Sequence, residues 1–286
     1  TNDYFFFFKH LAYISLGVLI IIFFSSLNRQ NLFILSTLLF LICLISLILV
    51  PFIGIEVKGS KRWLDLIFLP RFQPIELLKP FTIIVLALIL GSEKKINIFL
   101  KYILTFLIIL SIVFFLVIQP DIGQTLLLLF SWSVLIFISG VSLIAFFSFI
   151  SISLFSLIYL IMFVPKFEYI QNRILSFFDR DGGTHNFQSD KAIEAIISGG
   201  FFGKGIGEGT LKNKVPEAHT DYIISVISEE FGVIAIILIL LLFLVFIYSV
   251  FKKVNLESNE RTKLILVGCT SLILVQAMIH IGVNIR

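Results

Sequence analysis

The stretch Phe231-Gly-Val-Ile-Ala-Ile-Ile-Leu-Ile-Leu-Leu-Leu-Phe-Leu-Val-Phe-Ile-Tyr-Ser-Val250 decides the fold of this chain, because it contains no charged residue. A helix needs about 20 mostly apolar residues to cross a bilayer, so the run is predicted to span a membrane. Shortly before it, Pro216-Glu-Ala-His-Thr-Asp221 gathers two carboxylates, a histidine and a hydroxyl. Ionisable groups at the mouth of a membrane helix are costly, which makes this segment the first candidate for a functional site.

The remaining composition is also that of a membrane protein. Of 286 residues, 58% are hydrophobic and 14% are charged, whereas soluble proteins have about 25% charged residues. Apolar runs mark eight candidate spans: 10–27, 32–52, 74–91, 97–118, 121–139, 141–164, 223–250 and 262–283. We therefore expect an all-α fold, a polytopic transmembrane helical bundle, with residues 1–286 forming one domain.

Two connections, 53–73 and 165–222, are long, and alternating crossings place both on the same side of the membrane. Short loops with Arg29, with Lys94 and Lys95, or with Lys252 and its neighbours fall on the opposite side, which the positive-inside rule makes cytoplasmic. The long segment 165–222 is thus predicted to be external. It should contain a short helix at the membrane surface.

The pattern of this short helix gives its expected bounds. Ser189 or Asp190 can cap its start, and Gly199-Gly200 should end it. Its apolar face is predicted to consist of Ile193, Ile196 and Ile197.

Several classes of function are disfavoured. The four histidines are scattered without metal-ligand spacing, so no metal residues are assigned. Cys43 and Cys269 lie in separate apolar runs and imply no disulfide framework. The glycine-rich segment 199–209 lacks the spacing of a phosphate-binding loop and is expected to be a turning, flexible connection. A net charge of +4 argues weakly for nucleic acid and better for anionic lipid or phosphate.

Charged residues occur at two further places. The loop 53–73 carries Lys61 and Arg62 among its basic residues and either binds an anionic group or is simply solvated. Glu76 and Lys79 are three residues apart on one span, so they share a helix face and can pair. Such a pair is either an interfacial ion pair or a polar site inside the bundle.

A polar stripe should enter the membrane with the span that follows Asp221. Asp221, Ser225 and Ser228 recur at i, i+4 and i+7, and Glu229 and Glu230 lie deeper. Helix capping by Asp221 is the simpler interpretation of that residue, but it does not explain the rest of the stripe.

These segments, taken in order, resemble the SEDS family of cell-wall polymerases (shape, elongation, division and sporulation), and more its division branch than its elongation branch. The matching motifs are Lys58–Trp63, Gln73–Glu76 with Lys79, Gln119–Gly123, Gln188, Ser198–Gly200, Gly203–Gly205, Pro216–Asp221, Glu229–Gly232 and Ile281–Asn284. Family members have ten spans. The resemblance therefore implies that the eight visible here are the second to the ninth, and that the first and last are missing.

The resemblance implies a peptidoglycan glycosyltransferase that passes a lipid-diphosphate-linked glycan to the 4-hydroxyl of lipid II with inversion. Asp221 is then the expected base, with Glu217 as second carboxylate or metal ligand. Cationic side chains would stabilise the departing diphosphate, and Trp63 would pack on a sugar or lipid chain. The predicted substrate-binding residues are Lys61, Arg62, Trp63, Glu76, Lys79, Lys204 and His219.

The resemblance also implies partners and a location. A divalent cation, Mg²⁺ or Mn²⁺, is a candidate cofactor, although the sequence shows no complete ligand set. Expected partners are lipid II, undecaprenyl-diphosphate-linked glycan, membrane lipid, a class B penicillin-binding protein and other division proteins, at the septum of a bacterial inner membrane. Two alternatives remain open: a lipid II flippase or transporter, and a non-catalytic scaffold for the penicillin-binding protein.

Overall fold

A computed structural model describes residues 3–57, 59–66, 69–92, 97–168, 171–172, 183–210 and 222–285. Within these ranges the chain forms nine α-helices and three short strands. The helices are α1 (Asp3–Ser26), α2 (Arg29–Ile53), α3 (Pro74–Leu90), α4 (Ile98–Ile118), α5 (Ile122–Ile138), α6 (Leu143–Phe163), α7 (Gly183–Gly199), α8 (Ile223–Leu256) and α9 (Glu260–Ile285).

Each of the eight predicted spans corresponds to one helix, which confirms the polytopic helical fold. By length and composition, α1 (from Phe8), α2, α4, α6, α8 and α9 can each cross a membrane. The helices α3 and α5 are shorter, with 17 residues each. The predicted turn at Ser139-Gly140 does separate α5 from α6, and Gly140 has a φ of +84° there.

Helix α3 lies at the centre of the bundle and packs against α2, α4, α5 and α9. Its Leu78, Ile83, Leu86 and Ala87 are fully buried, as expected of a helix whose residues after Lys79 are almost all apolar. Gly268 lets α9 approach α3 closely, because a Cβ there would lie 2.6 Å from Ile83 Cγ2. By contrast, α1 and α8 present exposed apolar side chains along most of their length, which suits contact with lipid.

The connection 53–73 folds as an antiparallel sheet, where the sequence predicted only a loop. Its strands β1 (Ile55–Val57), β2 (Ser60–Leu66) and β3 (Leu69–Phe72) are ordered β1-β2-β3. Val57 pairs with Ser60 across a two-residue turn, and Gly59 adopts the φ of +78° that such a turn requires.

Helix α7 starts earlier than predicted, and it packs on α8 through small residues. It begins at Gly183 rather than at a cap near Ser189 or Asp190, and it ends at Gly199 as expected. Of its residues 190–199, whose side chains the structure describes, Ala192, Ala195 and Gly199 are buried and the isoleucines are not. A Cβ on Gly199 would overlap the backbone carbonyl of Ser228, so the small residues are what allow α7 to lie directly on α8.

The isoleucines of α7 consequently face elsewhere. Ile193 and Ile196 are half-buried, and Ile197 is 73% exposed. The isoleucines therefore do not form the face that packs on α8, because close helix contact selects alanine and glycine over larger side chains.

Candidate functional site

A buried polar cluster joins three helices of the bundle around the ammonium group of Lys79, whose side chain is only 2% exposed. Lys79 Nζ lies 2.7 Å from Glu76 Oε2 and donates to Gln124 Oε1 at 2.9 Å and to Gln276 Oε1 at 3.2 Å. Gln124 Nε2 donates in turn to Glu76 Oε1 at 2.7 Å. The four side chains, from α3, α5 and α9, therefore hold one cation and one carboxylate in a closed network.

The predicted pairing of Glu76 and Lys79 is thus confirmed, and the pair is more than an interfacial contact. Lys79 is almost fully removed from solvent, whereas the Glu76 side chain is 40% exposed. The carboxylate lies at the mouth of the cluster and the ammonium at its base. A charged pair held in this way can bind a polar group that enters the bundle from the Glu76 side.

Arg62 has a different environment from the one expected for a diphosphate ligand. Its Nε donates to Gln119 O at 3.1 Å, a terminal nitrogen donates to Pro120 O, and Nε lies 3.9 Å from Asp121 Oδ2. Arg62 thereby fastens β2 to the turn between α4 and α5. Burial raises the pKa of the Asp121 carboxyl, and the Arg62 guanidinium partly offsets that increase.

The neighbours of Arg62 on β2 are more accessible. Lys61 is exposed and lies opposite Glu56 in the sheet, and Trp63 is half-buried opposite Ile55. Lys61 also lines a 240 Å³ cavity between the hairpin and the Gln119–Pro120 turn. Of the two predicted basic ligands on this strand, Lys61 is the one positioned to meet a ligand from solvent.

The glycine-rich segment turns tightly beside a membrane helix, as the sequence predicted, and it is docked into a break in α8. At the break, Gly232 has φ +77° and ψ −178°, a conformation that only glycine adopts readily. Lys204 N donates to Glu229 O and Gly205 N to Glu230 O, while Val233 N donates to Gly200 O. The segment therefore supplies hydrogen-bond partners that a continuous helix would have supplied itself.

Glu229 fixes the end of this segment by its side chain. Its carboxylate is fully buried, accepts from Thr210 N at 2.9 Å, and lies 3.4 Å from Lys204 Nζ. Lys204 is thus paired with Glu229, which explains its position beside α8. Thr210 is the residue that immediately precedes segment 211–221.

The predicted polar stripe is confirmed where the structure describes it. Ser225 and Ser228 are fully buried on α8, and Asn284 of α9 accepts a hydrogen bond from Ser225 N at 3.1 Å. Asp221, Glu217 and His219 lie outside the described residues. The described chain ends before them at Thr210 and resumes at Tyr222, which is buried against α7.

Helix α9 connects the two polar regions. Gln276 contacts Lys79, and Asn284 contacts the first turn of α8, so the two contacts are about 12 Å apart along the α9 axis at 1.5 Å per residue. The Lys79 cluster and the start of α8 therefore belong to one end of the bundle.

Gln276, Gln124 and Glu229 are site residues that sequence reasoning did not assign. A lone glutamine inside an apolar span, such as Gln276, is a signal that could have been used, because polar groups there are costly. Among the described residues, no group of three or more His, Cys, Asp or Glu side chains is arranged to hold a metal ion.

Comparison with known proteins identifies the fold. A chain of a peptidoglycan synthase complex that coordinates polymerization and crosslinking aligns with a TM-score of 0.75 at 24% identity, over 99% of this chain and 80% of that one. The rod shape determining protein RodA of Thermus thermophilus aligns with a TM-score of 0.68 at 25% identity, over 98% and 76%.

Curated relatives named probable peptidoglycan glycosyltransferase FtsW give the same result by sequence. The Caulobacter vibrioides protein is 35% identical over 191 residues, 66% of this chain and 47% of that protein. The Haemophilus influenzae protein is 32% identical over 228 residues, 75% and 55% respectively. The chain spans about half the length of these relatives.

The family model decides the assignment, because it covers the chain from end to end. The FtsW/RodA/SpoVE model of cell cycle proteins matches residues 1–286. The predicted SEDS resemblance is thereby confirmed, and the chain belongs to the FtsW/RodA/SpoVE family.

Proposed function

We propose that this chain is the membrane domain of a glycosyltransferase that polymerises lipid II into peptidoglycan strands during septal wall synthesis. The observation that carries the proposal is the buried network of Lys79, Glu76, Gln124 and Gln276. Ionised groups inside a membrane bundle are retained where a polar substrate must be held, and here they lie at the same end as the start of α8. The FtsW name of the curated relatives supports the choice of reaction.

The reaction requires a base and a stabilised leaving group. The 4-hydroxyl of the acceptor sugar attacks the anomeric carbon of the donor, and its proton passes to the carboxylate of Asp221. The bond from that carbon to the diphosphate oxygen breaks, and undecaprenyl diphosphate leaves with the electron pair. Attack opposite the leaving group converts the α-linked donor into a β-1,4 bond.

The described cations divide between two roles in this scheme. Lys61, exposed on β2, suits direct contact with the diphosphate. Lys79 has three acceptors already and suits positioning, since it holds Glu76 and the two amides in place. Arg62 keeps the hairpin that carries Lys61 and Trp63 against the turn at Gln119.

A divalent cation, Mg²⁺ or Mn²⁺, would share the leaving-group charge. We assign Glu217 as its candidate ligand, with Asp221 as the base. In the sequence, Glu217 and Asp221 come between Thr210, which is bonded to α8, and Tyr222, which is packed on α7.

The proposed partners are a class B penicillin-binding protein and other membrane proteins of cell division. Support comes from the shared fold with a chain of a peptidoglycan synthase complex. The proposed location is the septum of the bacterial inner membrane, in agreement with the division role implied by the FtsW relatives.

One assay tests the proposal. Full-length protein with its synthase partner is incubated with purified lipid II, and glycan strands are separated on a gel with and without chelator. Asp221→Asn should abolish strands while membrane insertion is unchanged, and Glu217→Gln should lower them. Polymerisation by Asp221→Asn at the wild-type rate would falsify the assignment of the base.

Two further measurements separate the alternatives. Translocation of labelled lipid II without any polymer would indicate a flippase. Rescue of division by Asp221→Ala would indicate a scaffold.

A further inference from the structure

Four large apolar side chains are strongly exposed where α7 ends and the glycine-rich segment begins. Ile197 is 73% exposed, Phe201 74%, Phe202 83% and Ile206 79%. We call these four residues the loop patch. Exposed apolar groups gathered in one short segment indicate a surface that is covered in use, by protein or by lipid.

The backbone contacts of the segment fix its depth relative to the membrane. Val233 N donates to Gly200 O at 3.0 Å, and Ile234 N donates to Phe201 O at 3.4 Å. Val233 and Ile234 lie near the start of the uncharged run Phe231–Val250, which as a helix is about 30 Å long and matches the hydrocarbon thickness of a bilayer. The loop patch therefore lies level with the first membrane turn of α8.

The segment also meets a condition for entering lipid at its centre, because the backbone amides from Gly203 to Gly205 have protein partners. Gly203 N donates to Gly199 O at 2.8 Å, Lys204 N to Glu229 O at 2.9 Å and Gly205 N to Glu230 O at 3.0 Å. Irregular backbone is tolerated at membrane depth only when such groups are satisfied within the protein. The pairing with α8 provides this.

The packing of α7 directs the patch away from the bundle. Ala192, Ala195 and Gly199 are buried among the α7 side chains that the structure describes, and this helix packs on α8. Ile197 is about 140° from Ala192 and about 160° from Ala195 around the helix at 100° per residue, so it points outward. The segment meets α8 at Ile234, which is 48% exposed, and Leu238 and Leu242, at i+4 and i+8 on the same face, are 59% and 62% exposed.

The loop patch lies at the level of the first membrane turn of α8, its backbone is hydrogen-bonded to α8, and it faces away from the bundle. We therefore propose that it inserts into the lipid bilayer at the interface from which α8 enters it. The membrane, rather than a protein partner, is the occupant, because the patch continues the lipid-facing surface of a spanning helix. The insertion anchors the residues before segment 211–221 at a fixed depth. This inference does not depend on the proposed glycosyltransferase activity.

Spin-label accessibility tests the proposal in full-length protein reconstituted into vesicles of phosphatidylethanolamine and phosphatidylglycerol. Cys43 and Cys269 are first replaced by alanine, and single labels are introduced at Phe202→Cys and, in a second variant, Ile206→Cys. Leu242→Cys in the α8 run is the lipid reference. Glu260→Cys, at a side chain that is 68% exposed beyond the opposite end of α8, is the aqueous reference.

Collision rates with oxygen and with a water-soluble nickel chelate then give the depth of each label. Labels at Phe202 and Ile206 are expected about 5–10 Å below the lipid phosphates, with oxygen-to-nickel ratios between those of the two references. A ratio equal to that of Glu260→Cys would place the patch in water and overturn the proposal. Low collision with both reagents would show protein covering the patch and would overturn it equally.

Discussion

Lys79 Nζ and Gln276 Oε1 lie 3.2 Å apart, although the two residues are separated by 197 positions in the chain. The contact ties α3 at the centre of the bundle to α9, and α9 carries Asn284 to the first turn of α8. A change at Lys79 is therefore expected to shift the start of α8. In the sequence, Asp221 immediately precedes Tyr222, which is buried there.

Replacing Lys79 with methionine tests the buried network directly. Lys79→Met removes the cation that Glu76, Gln124 and Gln276 surround, and it should destabilise the protein by about 2–3 kcal/mol. This is less than the about 3–5 kcal/mol of a fully buried pair, because the Glu76 side chain is 40% exposed and can rehydrate. Thermal unfolding in detergent measures the loss, and strand synthesis should fall at least tenfold.

The matched control for Lys79→Met exchanges the two charges. Glu76→Lys combined with Lys79→Glu keeps the pair, and the amides of Gln124 and Gln276 can turn to donate instead of accept. Stability should recover while strand synthesis stays low. Recovery of both would show that the network has a structural role only.

Gly232 should tolerate no side chain. A Cβ there would overlap Phe201 O and Gly203 N, and the backbone conformation itself favours glycine. Gly232→Ala is expected to destabilise by about 3 kcal/mol or more, from strain and from displacement of the loop. Gly282→Ala is the control, since nothing lies within 4 Å of its added Cβ and the helix should gain up to about 1 kcal/mol. Equal melting temperatures for the two variants would contradict the prediction.

The basic residues on β2 should separate into a structural and a binding residue. Arg62→Gln loses the donors to Gln119 O and Pro120 O and should lower the melting temperature. Lys61→Gln should leave melting unchanged and raise the lipid II concentration needed for half-maximal synthesis. The interpretation fails if Lys61→Gln shows unchanged kinetics, or if Arg62→Gln melts like the wild type.

Glu229 should act on segment 211–221 through Thr210. Glu229→Ala removes the acceptor of Thr210 N and the partner of Lys204, whereas Glu229→Gln keeps an oxygen for the amide. Hydrogen exchange of residues 204–210 is expected to speed up in the alanine variant and to change little in the glutamine variant. Fast exchange in both variants would show that the negative charge of Glu229, and not its hydrogen bond to Thr210 N, holds the segment. Slow exchange in both variants would show that Glu229 does not hold it.

Asp121 gives a pH dependence with a defined sign. Burial raises its pKa above the ordinary 3.8, so the folded protein binds this proton more tightly than the unfolded chain does. Its stabilising contribution is complete below pH 3.8 and is lost as the pH rises through the folded-state pKa. Asp121→Asn can still cap α5 and should remove this component. The melting temperature of the wild type should therefore rise relative to that of the variant as the pH falls. A difference in melting temperature that stays constant with pH would contradict the prediction.

The sequence predicts those parts of the structure that follow from local pattern. The length of the apolar runs predicts each spanning helix, and the three-residue spacing of Glu76 and Lys79 predicts their pairing. The same periodicity predicts a polar stripe from Asp221 to Ser228, and burial of Ser225 and Ser228 confirms the part that is described.

Other parts depend on contacts between distant segments, which no local pattern reports. The sequence contains Gln276 in an apolar run, but only packing shows that it meets Lys79. The apolar face of α7 was predicted from its isoleucines, but only packing shows that the helix contacts α8 through Ala192, Ala195 and Gly199. Likewise, Arg62 was assigned to a substrate because it lies in a basic loop. Its actual acceptors, the carbonyl oxygens of Gln119 and Pro120, come near it only in the folded chain.

The break in α8 at Gly232 has a consequence for biosynthesis. The segment that bridges it, residues 199–205, is translated before α8, so its carbonyl and amide groups are already present when the break leaves the ribosome. The bridging groups need not be recruited from chain still to be made. Folding of this end of the bundle can therefore proceed in the order of translation, with α7 and its loop preceding the helix that they complete.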